Sequence, residues 1–179
     1  MRPNDILEFW FNELEPKQWW QKNEELDQAI KERFGSYHQA AIQCELYQWR
    51  NEAKGLLAEI IILDQFSRNI FRNKPQAFAK DAQALVLSQF AVAQGLDKDL
   101  SSVERQFLYM PYMHSESKLI HEQAVPLFKS LDSDQGYDFE LKHKEIIDRF
   151  GRYPHRNEVL GRKSTDDELE FLKHPGSSF

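Results

Sequence analysis

The chain has 179 residues, a mass of 21.2 kDa, a net charge of −6 and a pI near 5.5. Its 13 Phe, 6 Tyr and 4 Trp exclude a disordered chain, and its size allows one sizeable core without disulfides. The single cysteine excludes a disulfide framework and any Cys-based zinc or iron–sulfur site, while the acidic pI argues against a nucleic-acid binder.

The residue types favour an all-α fold. Val and Thr, which strands favour, occur only five times and once, whereas Leu, Gln, Glu, Lys and Ala are abundant. Apolar runs such as residues 60–63 are at most four residues long, far short of a membrane span, and Glu8 interrupts what would be the apolar stretch of a signal peptide. We therefore expect one domain over residues 1–179, a cytoplasmic location and no membrane partner.

The first half of the chain shows three helical patterns. The first runs from about Asn4 to Leu14, and Phe9-Trp10-Phe11 with Trp19-Trp20 are expected to pack it onto the core. Asn23 is a cap residue for the second, which either continues to about Trp49 or breaks near Gly35. The third, over residues 55–69, is apolar on all sides, which is typical of a buried central helix.

The second half shows five further patterns and short connections. A long helix over residues 78–94 ends at Gly95, and capping boxes begin helices after Ser101 and Thr165. Helices are also expected over residues 120–131 and 137–150, with Pro111 and Pro126 bending or ending their helices. With a short turn after Pro154, the count is eight or nine helices, expected to stack antiparallel.

The charge is unevenly distributed. Residues 66–80 carry four basic residues and no acid, and residues 141–163 carry seven basic residues against three acids. Arg is suited to anions because its planar fork binds carboxylate or phosphate with two hydrogen bonds. These two segments therefore either pair with the chain's own acids or together form an anion site.

The segment Phe150-Gly151-Arg152-Tyr153-Pro154-His155-Arg156-Asn157 has the most site-like composition in the chain. We expect the anion contacts to come from it and from the end of the buried helix. The predicted ligand-binding residues are Arg68, Asn69, Arg149, Arg152, His155, Arg156 and Asn157.

Four titratable residues are candidates for catalysis: Asp64, His114, Glu116 and His155. Asp64 and Arg68 are spaced i,i+4 and can form an ion pair, which a carboxylate in an apolar helix requires. His114-Ser115-Glu116 resembles the His-x-Glu of zinc deaminases, but the cysteine ligands of that motif are lacking.

Other catalytic and cofactor motifs are not present in the sequence. A metal site built from His114, Glu116, His143 and His155 is conceivable, although we expect no metal. Cys44 falls on a helical stripe and is expected in the core. Because the chain has no nucleophile elbow, phosphate-binding loop or dinucleotide fingerprint, we expect no cofactor.

Several motifs resemble one bacterial family, the domain-of-unknown-function family 924. They are Phe9-Trp10-Phe11, Trp19-Trp20, residues 63–72, His114-Ser115-Glu116, residues 150–157 and Leu160-Gly161-Arg162. The resemblance covers essentially the whole chain and implies an all-α, tetratricopeptide-like helical array, without implying an activity. Ser67 stands where the family pattern has Pro, and Tyr153 where Phe is commoner.

Three functions remain open at this point. The leading hypothesis is a binding protein with a polar, Arg-rich pocket for an anionic small molecule or a peptide carboxylate. The alternative is a hydrolase-like enzyme that uses a His/carboxylate acid–base pair, with or without a metal. A third is a protein–protein scaffold with an exposed aromatic groove. The oligomeric state and the identity of the ligand are left open.

Overall fold

The computed structural model describes residues 1–178, and over that range it confirms the all-α prediction, with no strand. The tetratricopeptide-like stacking stays a prediction. The α-helices of these residues are α1 (Pro3–Glu8), α2 (Glu24–Ile42), α3 (Ala53–Ile61), α4 (Ser67–Ile70), α5 (Asp81–Ala93), α6 (Ser102–Met113), α7 (Lys118–Lys129), α8 (Asp134–Phe150) and α9 (Asp166–Phe171).

The helix ends follow the capping chemistry of the sequence. The side chains of Asn23, Ser101 and Thr165 each accept a hydrogen bond from a backbone N–H in the first turn of α2, α6 and α9. Gly151 ends α8 in the left-handed conformation, at φ +69°, which a residue with a Cβ adopts only at a cost. The predicted caps are therefore confirmed.

Several boundaries differ from the predictions. Helix α2 passes through Gly35 without a break but ends at Ile42, seven residues before Trp49. Cys44 follows that end with φ +62° and is exposed, so its expected place in the core is wrong. Pro111 and Pro126 lie inside α6 and α7. Each helix continues for a few residues past its proline, so neither proline ends its helix.

The central helical run lies where the sequence predicted it, but one of its turns is π-helical. Between α3 and α4 lies a π-helical turn, Ile62–Phe66, so the chain is helical from Ala53 to Ile70. Every residue from Gly55 to Ser67 is buried, and α3 contacts α1, α5 and α6. The prediction of a buried central helix is thus confirmed.

Aromatic residues attach the N-terminal segment to this core. Phe9 and Trp10 are buried, and the Trp10 ring meets the Phe107 ring edge-on at 5.6 Å. Trp19 donates a 2.8 Å hydrogen bond from Nε1 to the carbonyl oxygen of Trp10. The expected packing role of these aromatics is confirmed, although Trp20 stays half exposed.

The C-terminal part forms a smaller cluster beside the main core. Ile146, Ile147 and Tyr153 are its buried members. The Tyr153 hydroxyl donates a 2.5 Å hydrogen bond to the carbonyl oxygen of Met113, at the end of α6. This contact holds the turn after α8 against the end of α6 and so places residues 153–157 near the central helix.

Candidate functional site

Asp64 is the deepest charged residue of the site. It lies in the π-helical turn, is fully buried, and its carboxylate lies 3.1 Å from Arg68 Nη1 and 2.7 Å from His114 Nδ1. Gln65 Nε2 donates a further 2.6 Å hydrogen bond to it. Burial alone would raise the pKa of the Asp64 carboxyl, but Arg68 and His114 outweigh it and hold this pKa below its usual value. Asp64 is therefore a buried, fully engaged carboxylate, as the i,i+4 spacing predicted.

His114 faces Asp64 from the C-terminal end of α6. Burial and the Arg68 charge together lower the pKa of His114, so its imidazole is neutral at pH 7. Because the Asp64 carboxylate can only accept, the neutral ring must carry its proton on Nδ1. Its Nε2 then presents a lone pair, and the side chain is 11 % exposed.

Arg68 joins Asp64 to a carboxylate on another helix. Its Nη1 and Nη2 donate to the two carboxylate oxygens of Asp81, at 2.9 and 3.0 Å, and Nη1 also donates to the carbonyl oxygen of Asp64. Burial lowers the pKa of Arg68, but Asp64 and Asp81 more than compensate and raise it. Arg68 thus bridges Asp64 and Asp81, and these two carboxylates compensate its charge.

Arg156 also donates to Asp81. Within residues 1–178, the only hydrogen bond of its guanidinium runs from Nη1 to the Asp81 carboxylate, at 3.2 Å, although the residue is 94 % buried. Its Nε has no hydrogen-bond partner among these residues. The guanidinium lies 4.6 Å from the centre of the Phe78 ring and 4.7 Å from that of Tyr153. Burial, reinforced by the Arg68 charge, lowers the pKa of Arg156.

Glu116 and Asn157 hold the turn that carries Arg156. Glu116 accepts two hydrogen bonds from Arg162, at 2.7 and 2.9 Å, and one from the Tyr153 backbone N–H. Burial would raise the pKa of Glu116, but these donors lower it. Asn157 is buried, donates to Ser164 and accepts from Arg162. Both residues are saturated by contacts that fix the backbone.

The other predicted binding residues lie in different contacts. Arg152 donates to both carboxylate oxygens of Glu168, at 2.6 and 2.7 Å. Asn69 donates to Asp27, on α2. Arg149 lies over Phe150, 4.6 Å from the ring centre. These three side chains are therefore engaged away from the Asp81 carboxylate.

His155 packs beside the aromatic wall. Its ring centre lies 5.6 Å from that of Tyr153. Burial, with the Arg156 charge, lowers the pKa of His155 to about 4, so the imidazole is neutral at pH 7. His155 thus adds polar but uncharged surface next to Arg156.

Metal binding finds no support in this geometry. Across residues 1–178, no three His, Cys, Asp or Glu side chains are grouped so as to hold an ion. His114 and Glu116 face different partners, Asp64 and Arg162, and His143 Nδ1 hydrogen-bonds the Phe139 carbonyl oxygen.

Two surface clefts lie elsewhere. One, of about 390 Å³, is lined by both apolar and polar residues, among them Phe11, Trp19 and Glu104. The other, of about 520 Å³, is lined by Arg149 and residues of α8, α9 and the C-terminal segment. Arg68 and Arg156 line neither of these two clefts.

The predicted set of binding residues left out three residues of this cluster. Asp81, which joins the two arginines, directly follows the acid-free segment 66–80, so counting charge within that segment left it out. Phe78 and Tyr153 form the aromatic walls. The available signal was that Asp81 lies in the first turn of the helix predicted over residues 78–94, where the helix dipole favours an acid. That position does not indicate which cations the fold brings to it.

The fold and this cluster define an all-helical protein with a buried Asp–His pair next to two arginines that share one carboxylate. The chain belongs to a family of bacterial proteins of unknown function (DUF924), whose model matches residues 6–176. It is similar to the solved structure of a protein of unknown function from Agrobacterium tumefaciens, with 34 % identity, a TM-score of 0.91 and coverage of 96 % of each chain. No protein with a curated description matches the chain. In the described residues, the helices are all too short or too polar to cross a membrane.

Proposed function

We propose that this protein binds an anionic small molecule or a peptide carboxylate at Arg68 and Arg156. The observation that carries this proposal is the state of Arg156, a buried guanidinium that makes one long hydrogen bond and leaves Nε without a partner. A buried cation is costly unless it is paired and hydrogen-bonded. An anion that completes its hydrogen bonds would remove this cost.

The surroundings favour a ligand at this place. Phe78 and Tyr153 cover the guanidinium of Arg156 and keep water from its faces, which strengthens an ion pair formed at its edge. Arg68, Asp81 and His114 keep 21, 17 and 11 % of their side-chain surface exposed, whereas Arg156 keeps only 7 %. A ligand can therefore approach Arg68 and Asp81 from solvent, and Arg156 adjoins Asp81 at 3.2 Å.

The contacts support a smaller binding set than the sequence predicted. We assign the anion contacts to Arg68 and Arg156, with His114 and His155 at the rim. Glu116 and Asn157 position the turn through their own saturated hydrogen bonds. Arg149, Arg152 and Asn69 face other partners, and we assign them no ligand contact in this proposal.

Calorimetric titration of the protein with acetate, inorganic phosphate and a short peptide tests this proposal. The same peptide with an amidated C-terminus is the matched ligand control. A bidentate contact to a charged group is worth roughly 1.5–3 kcal/mol, so Arg156→Met should weaken binding at least about tenfold. Arg33→Met, which removes an exposed arginine far along the chain, should leave the affinity unchanged. Absence of binding by any probe, or equal binding by Arg156→Met, would overturn the proposal.

Acid–base catalysis is a second candidate function, favoured by the contact of His114 with Asp64. A neutral imidazole whose Nδ1–H is held by a buried carboxylate presents Nε2 as a base, as in Asp–His pairs of hydrolases. Turnover of 4-nitrophenyl phosphate and 4-nitrophenyl acetate, compared between the wild type and His114→Gln, tests it. Turnover that His114→Gln abolishes supports an enzyme, and no turnover, or turnover that persists in the variant, contradicts it.

A further inference from the structure

We infer that Asp81 is a built-in occupant of the anion site, and that the ligand is a carboxylate that displaces it. This inference rests on the proposed anion-binding function and deepens it, because it names the chemical class of the ligand and the group that competes with it.

The geometry of Asp81 is that of a bound carboxylate. Its two oxygens accept from Nη1 and Nη2 of Arg68, at 2.9 and 3.0 Å, and one of them also accepts from Arg156 Nη1, at 3.2 Å. Two parallel hydrogen bonds from one guanidinium fit a planar carboxylate. The site is therefore already shaped for this group.

Asp81 differs from Asp64 in what holds it. Asp64 is fully buried and is held in addition by His114 and Gln65, so it stays with Arg68. Asp81 is partly exposed, and the two arginines are the only side chains that donate to it in the described part of the chain. One rotation of its side chain breaks these contacts without disturbing Asp64.

An alternative position for the Asp81 carboxylate is also available. Asp81 is the first residue of α5, a helix of 13 residues, where a negative charge interacts favourably with the helix dipole and with the free backbone N–H groups. When Asp81 turns away, Arg68 keeps Asp64, and Arg156 is left without a carboxylate. An incoming carboxylate then restores the charge balance that Asp81 provided.

Asp81→Asn tests this inference, with Asp134→Asn as its matched control. Asp134 is likewise the first residue of its helix, α8, but it is exposed and forms no ion pair with Arg68 or Arg156. Asp81→Ser, which keeps a residue suited to a helix start, serves as a second variant if Asp81→Asn folds poorly. The measurement is calorimetric titration of each variant with acetate and with inorganic phosphate.

The competitor divides the affinity of the site by the reciprocal of the fraction of molecules in which the site is free. If Asp81 occupies at least about nine sites in ten, acetate should bind Asp81→Asn at least about tenfold more tightly than the wild type. The Asp134→Asn variant should bind like the wild type, and Arg156→Met combined with Asp81→Asn should lose the gain. Equal acetate affinity in the wild type and Asp81→Asn overturns this inference while the anion site stands. A gain for phosphate alone overturns the carboxylate class, and no binding by any variant overturns the anion site as well.

Discussion

The imidazole of His114 donates a 2.7 Å hydrogen bond from Nδ1 to the fully buried carboxylate of Asp64. The two residues are 50 positions apart in the chain, and they join the end of α6 to the π-helical turn of the central run. This contact fixes the tautomer of His114, with the proton on Nδ1 and a lone pair on Nε2.

Replacing Asp64 should therefore be strongly destabilising. Asp64→Ala leaves Arg68 and His114 without the carboxylate that they share, and removing one partner of a buried ion pair costs about 3–5 kcal/mol. Urea unfolding monitored by tryptophan fluorescence measures this loss. Asp99→Ala, which changes an exposed aspartate, is the control and should stay within about 0.5 kcal/mol of the wild type. A small effect of Asp64→Ala would contradict the assigned role of the pair.

The two arginines of the cluster should respond differently to the same substitution. Arg156→Met removes a poorly compensated buried cation and keeps an apolar side chain against Phe78 and Tyr153, so the free energy of unfolding should change by less than about 1 kcal/mol. Arg68→Met strands Asp64 and should cost about 3–5 kcal/mol. Urea unfolding of both variants checks this asymmetry. Equal losses would show that Arg156 serves stability to the same degree as Arg68.

Gly55 should tolerate no side chain. A Cβ at this position would lie 2.0 Å from the carbonyl oxygen of Trp49 and 2.8 Å from its carbonyl carbon, so the backbone itself would have to move. Overpacking of this kind costs about 1–3 kcal/mol or more. Gly55→Ala should lower the stability by at least that amount in urea unfolding. Gly35→Ala is the control, because a Cβ there meets nothing within 4 Å and alanine favours the helix interior of α2.

Buried histidines should make the protein sensitive to mild acid. Burial lowers the pKa of His143 to about 3 and that of His155 to about 4, against about 6.5 in the unfolded chain. The unfolded state therefore binds more protons below pH 6.5, and stability is lost as the pH falls toward the folded pKa values. These two residues give a slope approaching about 2.7 kcal/mol per pH unit between pH 6 and pH 4.5.

Other buried groups modify this slope in known directions. His38 and His114 also have lowered pKa values, with burial the largest cause, and they steepen the loss. Glu140 has a pKa raised by burial, and its protonation in the folded state opposes the loss. Urea unfolding at several pH values measures the sum. His155→Gln should reduce the slope by about 1.4 kcal/mol per pH unit. An unchanged slope in His155→Gln would contradict the assignment.

The sequence predicted the frame of this structure because the relevant signals are local. Capping boxes at Ser101 and Thr165, the cap at Asn23 and the apolar run of residues 55–69 each act within one or two helical turns. The Asp64–Arg68 pair followed from its i,i+4 spacing for the same reason.

The rest depends on distances along the chain that local patterns do not encode. The π-helical turn lies in a run that is apolar on all sides. Such a run has no polar face, so the hydrophobic pattern does not show where the helix changes from α to π. Arg156 lies 75 residues from Asp81, and only the packing of the C-terminal turn against α6 brings them together. Cys44 was placed wrongly because its apolar neighbours continue the stripe of α2 after the helix has ended.

The most direct test of the anion site observes the Arg156 guanidinium itself. Nuclear magnetic resonance of the arginine side-chain Nε–H groups, recorded while acetate is added, separates Arg156 from the exposed Arg33. The Nε–H signal of Arg156, which has no hydrogen-bond partner within residues 1–178, should shift progressively and saturate, with a smaller change at Arg68 and none at Arg33. An Arg156 signal that stays unchanged up to saturating acetate, in both the wild type and Asp81→Asn, would contradict the account.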